Sequence, residues 1–310
     1  MGLRIRTNVQ SLNAQRNLAQ SNGKVSSHME KLASGYRINK AADDAAGLAI
    51  SQSLNADIRS LGQAKRNAND AVSMLQVAEG SLEEISNIVT RLKELSVQSA
   101  SDTVGVEERD FLNREFMALK DEIDRITLST EFNGTRLLIG EGQVSDELVA
   151  THNQFPLEMQ IGKDYLLPSD SLESPNPVDI IRIDFSKMNA ATEGPGSLEI
   201  GNSLNEAGTR IDTKQGAQMS MAAVDKALGR LSSYRASIGA VQNRLVSTER
   251  NLGVQIENLS AARSRIKDAD FALETAEYTQ GNILMQAGAS VLSQANQLPS
   301  VALNLINNMA

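Results

Sequence analysis

The sequence predicts a mainly α-helical protein: a bundle of long helices with paired terminal helices and a smaller β-hairpin and loop region in the middle of the chain. The first reason is composition. Aromatic residues make up 3% of the 310 residues and tryptophan is absent, which is typical of long helices that pack closely through small side chains. The second reason is a heptad repeat of apolar residues in both flanks, and the third is the position of the prolines.

Apolar residues recur with heptad spacing in three segments, which predicts helices that each bury one face. The first two seams are Ala71, Leu75, Ala78, Leu82, Ile85, Val89 and Leu92, and then Leu112, Phe116, Leu119, Ile123 and Ile126. The third recurs every seven residues: Val224, Leu231, Ile238, Leu245, Leu252, Leu259, Ile266 and Leu273. Polar residues interrupt its intervening positions, so we expect this helix to pack in a bundle rather than in a two-stranded coil.

The middle of the chain has a different pattern. Five of the six prolines lie between residues 156 and 195, and proline breaks helix interiors. We therefore expect loops and a few strands over 132–212, with strand-like stretches at 157–161 and 180–185. Asn133-Gly134 is the pair favoured in tight hairpin turns. With Thr135 it also forms a glycosylation sequon, but we favour the turn.

The two ends of the chain carry opposite charge. Residues 1–40 hold seven basic residues against one acidic residue, a net charge of +6, whereas 268–310 hold four acidic residues and no basic residue, a net charge of −4. Both ends have helical patterns, so we expect them to pair helix against helix. A basic amphipathic N-terminus could instead lie on a membrane, but its polar face is largely Asn, Gln and Ser.

Several classes of function are disfavoured. The absence of cysteine excludes disulfides and thiolate metal sites, and the net charge of −8 argues against a general nucleic-acid binder. His28 and His152 belong to no metal or nucleophile motif, and the pair Asp43-Asp44 is expected to cap a helix rather than to do acid–base chemistry. We therefore expect no catalytic, cofactor-binding or metal-binding residues, and no enzyme.

The sequence also bears on the route of export. No apolar run approaches the ~20 residues of a membrane span, so membrane insertion is not expected. The first residues carry charges where the apolar part of a secretory signal would begin. If the protein leaves the cell, we expect a route that needs no cleaved signal peptide.

Long ordered motifs over about residues 1–139 and 215–310 resemble those of bacterial flagellin, the subunit of the flagellar filament. The matching stretches are Asn8–Leu18, Met29–Ile50, Arg66–Asp70, Glu94–Ala100, Ala262–Asp270 and Ser293–Gln297. The resemblance implies an inner domain of terminal helices, 1–43 with 268–310. It also implies a helical bundle with a β-hairpin region, 44–267. Within that bundle, 140–214 would be a reduced variable segment, and no separate outer domain is expected.

The resemblance implies a structural subunit that self-assembles into an extracellular filament for swimming motility. Its partners would be further copies of itself and the cap, junction and export-chaperone proteins of the flagellum. An alternative is the hook–filament junction protein, which shares the terminal helices, but the motifs at 43–50 and 293–297 favour flagellin. We expect neighbouring subunits to cover an assembly seam on the C-terminal segment, composed of Leu284, Ala287, Val291 and Leu298.

One further site follows from the resemblance. Flagellins recognised by an animal innate immune receptor use an Arg and a Leu on the first bundle helix and a Glu on the second. The matching residues here are Arg91, Leu95 and Glu115. We interpret their everyday role as contacts between filament subunits, with receptor binding incidental to the bacterium.

Overall fold

The structure, a computed structural model, describes residues 8–140, 156–164, 179–186, 188–194, 196–201 and 209–308, without the side chains of 298–308. Five helices and two short hairpins are described, which confirms the predicted fold class. In chain order they are α1 (Val9–Ser34), α2 (Ala45–Ser99), α3 (Val106–Ser129), β1 (Glu131–Phe132), β2 (Thr135–Arg136), β3 (Leu157–Gln160), β4 (Ile180–Ile183), α4 (Lys214–Lys267) and α5 (Phe271–Asn308).

The chain forms two compact units. The terminal unit comprises Met1–Ile58 with Glu257–Ala310, and the central unit comprises Arg59–Ile256. Both stretches of the predicted inner domain lie in the terminal unit, which also takes in 44–58 and 257–267. Much of the predicted variable segment, 140–214, falls outside the described residues.

The predicted seams build the core of the central unit. Every member of the first seam is at most 1% exposed, and Phe116 and Ile123 of the second are fully buried. The third seam is buried from Val224 to Leu252. The prediction that this seam continues to Leu273 is wrong, since the Leu273 side chain is 60% exposed. The seam stops because α4 ends at Lys267 and a new helix begins at Phe271.

Two antiparallel hairpins occupy the middle of the chain. In the first, β1 pairs with β2, and the turn residues Asn133 and Gly134 both have positive φ, 51° and 79°. These angles fit a type I′ turn, so the predicted turn is confirmed. In the second, β3 pairs with β4, as the strand-like patterns predicted. Ile180, Ile181 and Ile183 of β4 are buried.

Two breaks in helical structure lie side by side in the terminal unit. The first follows α1, which ends at Gly35 with φ 72°, and the second separates α4 from α5. The Ala269 N–H donates to the Gly35 carbonyl at 2.9 Å, and the Arg37 N–H donates to the Lys267 carbonyl at 2.7 Å. At the start of α2, Asp44 Oδ1 accepts the Gly47 N–H at 2.8 Å, which confirms the predicted capping role of this residue.

Candidate functional site

Helices α1 and α5 pair in an antiparallel arrangement, as the opposite charges of the chain ends predicted. Near one end, Asn8 Nδ2 donates to the Ala295 carbonyl at 2.7 Å. Farther along, Val25 packs so closely against Gly281 that a Cβ on the glycine would lie 2.6 Å from Val25 Cγ2. Small residues on α5 therefore set the close approach of the two backbones.

The charge complementarity of the two helices is concentrated at Glu274. Its carboxylate lies 2.5 Å from His28 Nδ1 and 3.4 Å from Lys31 Nζ, and the residue is only 7% exposed. Burial by itself would raise the pKa of Glu274. The hydrogen bonds from His28 and Lys31 and the charge of Lys31 outweigh burial, so the pKa lies below its usual 4.5.

The predicted assembly seam on α5 is uncovered in the single chain. Leu284 is 51% exposed, Val291 is 54% exposed and Ala287 is also exposed, while the side chain of Leu298 lies outside the described residues. Other large apolar side chains are exposed on the same two terminal helices: Val9, Leu12 and Met29 on α1, and Phe271, Leu273 and Ile283 on α5. The terminal unit thus exposes more large apolar side chains than its own helix pair covers.

The receptor-type residues do not form one surface. The guanidinium of Arg91 donates to Glu115 Oε1 through Nε and one Nη, at 3.1 and 2.9 Å, and through its other Nη to Glu94 at 2.9 Å. Leu95, in contrast, is fully buried in the core of the central unit. The expected three-residue patch is therefore corrected to an exposed Arg91–Glu115 pair, because the heptad spacing of α2 turns Leu95 inward.

Side chains of α3 hold the main chain that leads into α4. Asn113 Oδ1 accepts the Ile211 N–H at 3.0 Å, and Lys120 Nζ donates to the Thr209 carbonyl at 3.2 Å. Asp124 accepts both the N–H and the hydroxyl of Thr192, at 2.8 and 2.7 Å. The described residues of this irregular segment are therefore fixed to the bundle through their backbone and through the hydroxyl of Thr192.

Lys120 is fully buried. The pKa of its amine is lowered to about 8, chiefly by burial; Asp124, Asp121 and Glu193 act in the opposite direction, and the nearby Arg210 adds to the lowering. Burial therefore destabilises the charged form of this amine in the folded protein.

The sequence contained signals for two of these residues that our interpretation did not use. Glu274 precedes Gly281 by seven residues, so it lies at the same heptad position as the small residues of α5. Lys120 follows Phe116 by four residues and precedes Ile123 by three, so it occupies a seam position. Asn113 precedes Lys120 by seven residues and shares its heptad position, whereas no comparable pattern marks Asp124.

The described part of the chain shows neither a metal-ligand cluster nor a membrane-spanning helix. No group of three or more His, Cys, Asp or Glu residues there could hold a metal ion. No described helix is long and apolar enough to cross a membrane.

Comparison with known proteins gives consistent matches at both ends of the chain. Residues 5–143 match the family model of the bacterial flagellin N-terminal helical region, and residues 221–306 match that of the C-terminal helical region. The chain is 40% identical to a flagellin of Bacillus subtilis, over 98% of this chain and all of that protein. It is 37% identical to a flagellar filament 33 kDa core protein of Treponema phagedenis, over 97% and 99% of the two chains.

A solved structure also shares the fold. A putative flagellar hook-associated protein of Vibrio parahaemolyticus superposes with a TM-score of 0.54 at 13% identity, covering 73% of this chain and all of that one. At this identity the likeness concerns the fold alone.

Proposed function

Because the chain belongs to the bacterial flagellin family, we propose that it polymerises with copies of itself into an extracellular flagellar filament that serves swimming motility. The family is a structural one, and we propose no enzymatic role. The cap, junction and export-chaperone proteins of the flagellum would be further partners.

The uncovered apolar side chains of the terminal helices carry this proposal. Leu284 and Val291 are each about half exposed, and covering the exposed half of such a side chain contributes roughly 1 kcal/mol. A filament of identical subunits needs heterologous contacts that repeat without closing. Apolar helix faces left open in a single chain provide such contacts, since only a neighbour can cover them.

The two predicted domains would then have different roles. We propose that the terminal helices, 1–43 with 268–310, form the inner domain of the filament and that 44–267 forms the shell around it. With 140–214 as the whole variable segment, this subunit would carry no separate outer domain.

Substitution on the open face of α5 tests the proposal. The double variant Leu284→Gln with Val291→Asn should lose polymerisation while the core of the central unit, which contains neither residue, keeps its thermal unfolding transition. The matched control is Gln286→Asn, an exposed polar position on the same helix. Electron microscopy and sedimentation measure assembly, and circular dichroism measures folding. Long filaments from the double variant would contradict the proposal.

A hook–filament junction role is the alternative, because a junction protein would share the paired terminal helices. The two roles differ in what the purified protein does by itself. A filament subunit extends added filament seeds into long filaments, whereas a junction protein adds a limited number of copies. Seeded growth observed by electron microscopy therefore separates them.

The Arg91–Glu115 pair is proposed as a contact between subunits and, on monomers, as part of the site for an animal innate immune receptor. The pair is exposed in the single chain, with about half of each side chain accessible. Arg91→Ala should weaken receptor activation by monomers by about tenfold if the guanidinium is a hot spot. A cell reporter assay measures the response, and Arg125→Ala is the control for the loss of an exposed guanidinium. An unchanged response to Arg91→Ala would show that Arg91 is not part of the site.

A further inference from the structure

The apolar contacts between α1 and α5 repeat every seven residues. Leu18 faces Gly288, where a Cβ would lie 3.4 Å from Leu18 Cδ1. Val25 faces Gly281, where a Cβ would lie 2.6 Å from Val25 Cγ2. Seven residues beyond Gly288 is Ala295, which is also small and buried. A slide of one heptad would bring Val25 to Gly288 and Leu18 to the alanine, so apolar packing alone selects this register only weakly.

Glu274 occupies the same heptad position on α5, seven residues before Gly281, but it is a charged residue. It is almost fully buried, and both of its oxygens accept from α1, one from His28 and one from Lys31. An ionised carboxylate is an acceptor only, so it depends on such donors. After the same slide, Glu274 would lie beyond the end of α1 at Ser34 and would lose both donors.

We propose that Glu274 fixes the register of the α1–α5 pair, with His28 and Lys31 as its partners. A single polar residue in an apolar helix seam is able to specify register at some cost in stability. Within the described contacts, no other ion pair joins these two helices. The inference rests on the proposed assembly role, because a polymer with identical contacts needs every subunit to present its open apolar face in the same register.

Disulfide competition measures the register directly. The chain has no cysteine of its own, so introduced cysteines report without background. A variant with Leu18→Cys, Gly288→Cys and Ala295→Cys can form a disulfide from position 18 to 288 in the observed register, or to 295 after a slide. A Cβ at 288 lies 4.0 Å from Leu18 Cβ, which suits a disulfide. Peptide mass spectrometry after complete oxidation gives the ratio of the two products.

With Glu274 in place, we expect the 18–288 product to exceed the 18–295 product by about tenfold, as expected for one buried polar determinant. In the Glu274→Leu background the ratio should fall to about threefold or less, since the pair then keeps no buried ion pair and only the hydrogen bonds of Asn8 and Ser11 near its other end. The matched control is Glu277→Leu, which removes an exposed acid from the same helix and should leave the ratio unchanged. His28→Ala should lower the ratio in the same direction as Glu274→Leu.

Two outcomes would overturn the inference: an unchanged ratio in Glu274→Leu, or equal amounts of the two products when Glu274 is present. The ratio is measured on monomers before assembly, and filament growth is scored separately by electron microscopy of the cysteine-free protein. A protein that keeps a single register but never polymerises would refute the proposed function alone. Filaments from a protein with mixed registers would refute only the role of Glu274.

Discussion

Replacing the buried Lys120 by methionine should change how stability depends on pH. In the unfolded chain the amine keeps its proton up to a pKa of 10.5, whereas in the folded protein burial lowers the pKa to about 8. Between these values the unfolded state binds more protons, so the folded state gains stability as the pH rises. Below about pH 8 the full cost of burying the ammonium is present.

The size of the effect follows from the two pKa values. The difference between 10.5 and about 8 corresponds to about 3 kcal/mol in the free energy of unfolding. Lys120→Met has no proton to lose, so the wild type should gain about 3 kcal/mol relative to this variant as the pH rises through that range. The variant also loses the hydrogen bond to the Thr209 carbonyl, but that loss changes little with pH and does not affect the slope.

Urea unfolding, followed by circular dichroism across this pH range, measures the difference. The control is Lys226→Met, which removes an exposed lysine from α4 and should leave the pH dependence of the wild type unchanged. If Lys120→Met and wild type show parallel pH profiles, the amine does not titrate in the folded protein as burial requires, and the reasoning fails.

Four other substitutions have defined outcomes. Gly281→Ala should lower the thermal stability of the α1–α5 pair, because the new methyl group meets Val25 and such overpacking costs about 1–3 kcal/mol; Gly288→Ala has room and should gain about 1 kcal/mol of helix propensity. The pKa of Glu274 lies below 4.5, so its contribution is present above pH 4.5 and is lost as the pH falls through the folded value. The acid-induced loss of helical circular dichroism should therefore be shallower in Glu274→Gln. Gly134→Ala should lower the melting temperature of the central unit, at a cost of about 1 kcal/mol or more, because φ there is positive; an unchanged melting temperature would argue against the type I′ turn.

The sequence was most informative where one physical requirement repeats along the chain. The seam from Ala71 to Leu92 was predictable because each member must avoid water at helical spacing, and all of it is buried. The hairpin at Asn133-Gly134 was predictable because few residue pairs tolerate two successive positive φ angles. In both cases the local conformational preference of the residues agrees with the position that they occupy in the folded protein.

Predictions failed where the direction of a side chain depends on more than its spacing in a motif. Leu95 was assigned to a surface by resemblance, although it follows Leu92 by three residues on the same helix and is buried with it. Leu273 continued a seven-residue period, but Asp270 starts a new helix by accepting the N–H groups of Ala272 and Leu273, which ends the phase of α4. The hydrogen bond from the Thr192 hydroxyl to Asp124 joins residues far apart in the chain, and no local sequence pattern predicts such a contact.

The way α3 holds the segment around Thr192 and Thr209 has a consequence for sequence change. Asn113 and Lys120 form hydrogen bonds with peptide groups. Every residue type has these groups, except that proline lacks the N–H. From α4, the Tyr234 hydroxyl likewise donates to the Gly196 carbonyl. Replacing an outward side chain in this segment therefore removes none of these anchors. The attachment therefore depends little on the outward side chains of the described residues, so we expect substitutions there to leave these hydrogen bonds intact.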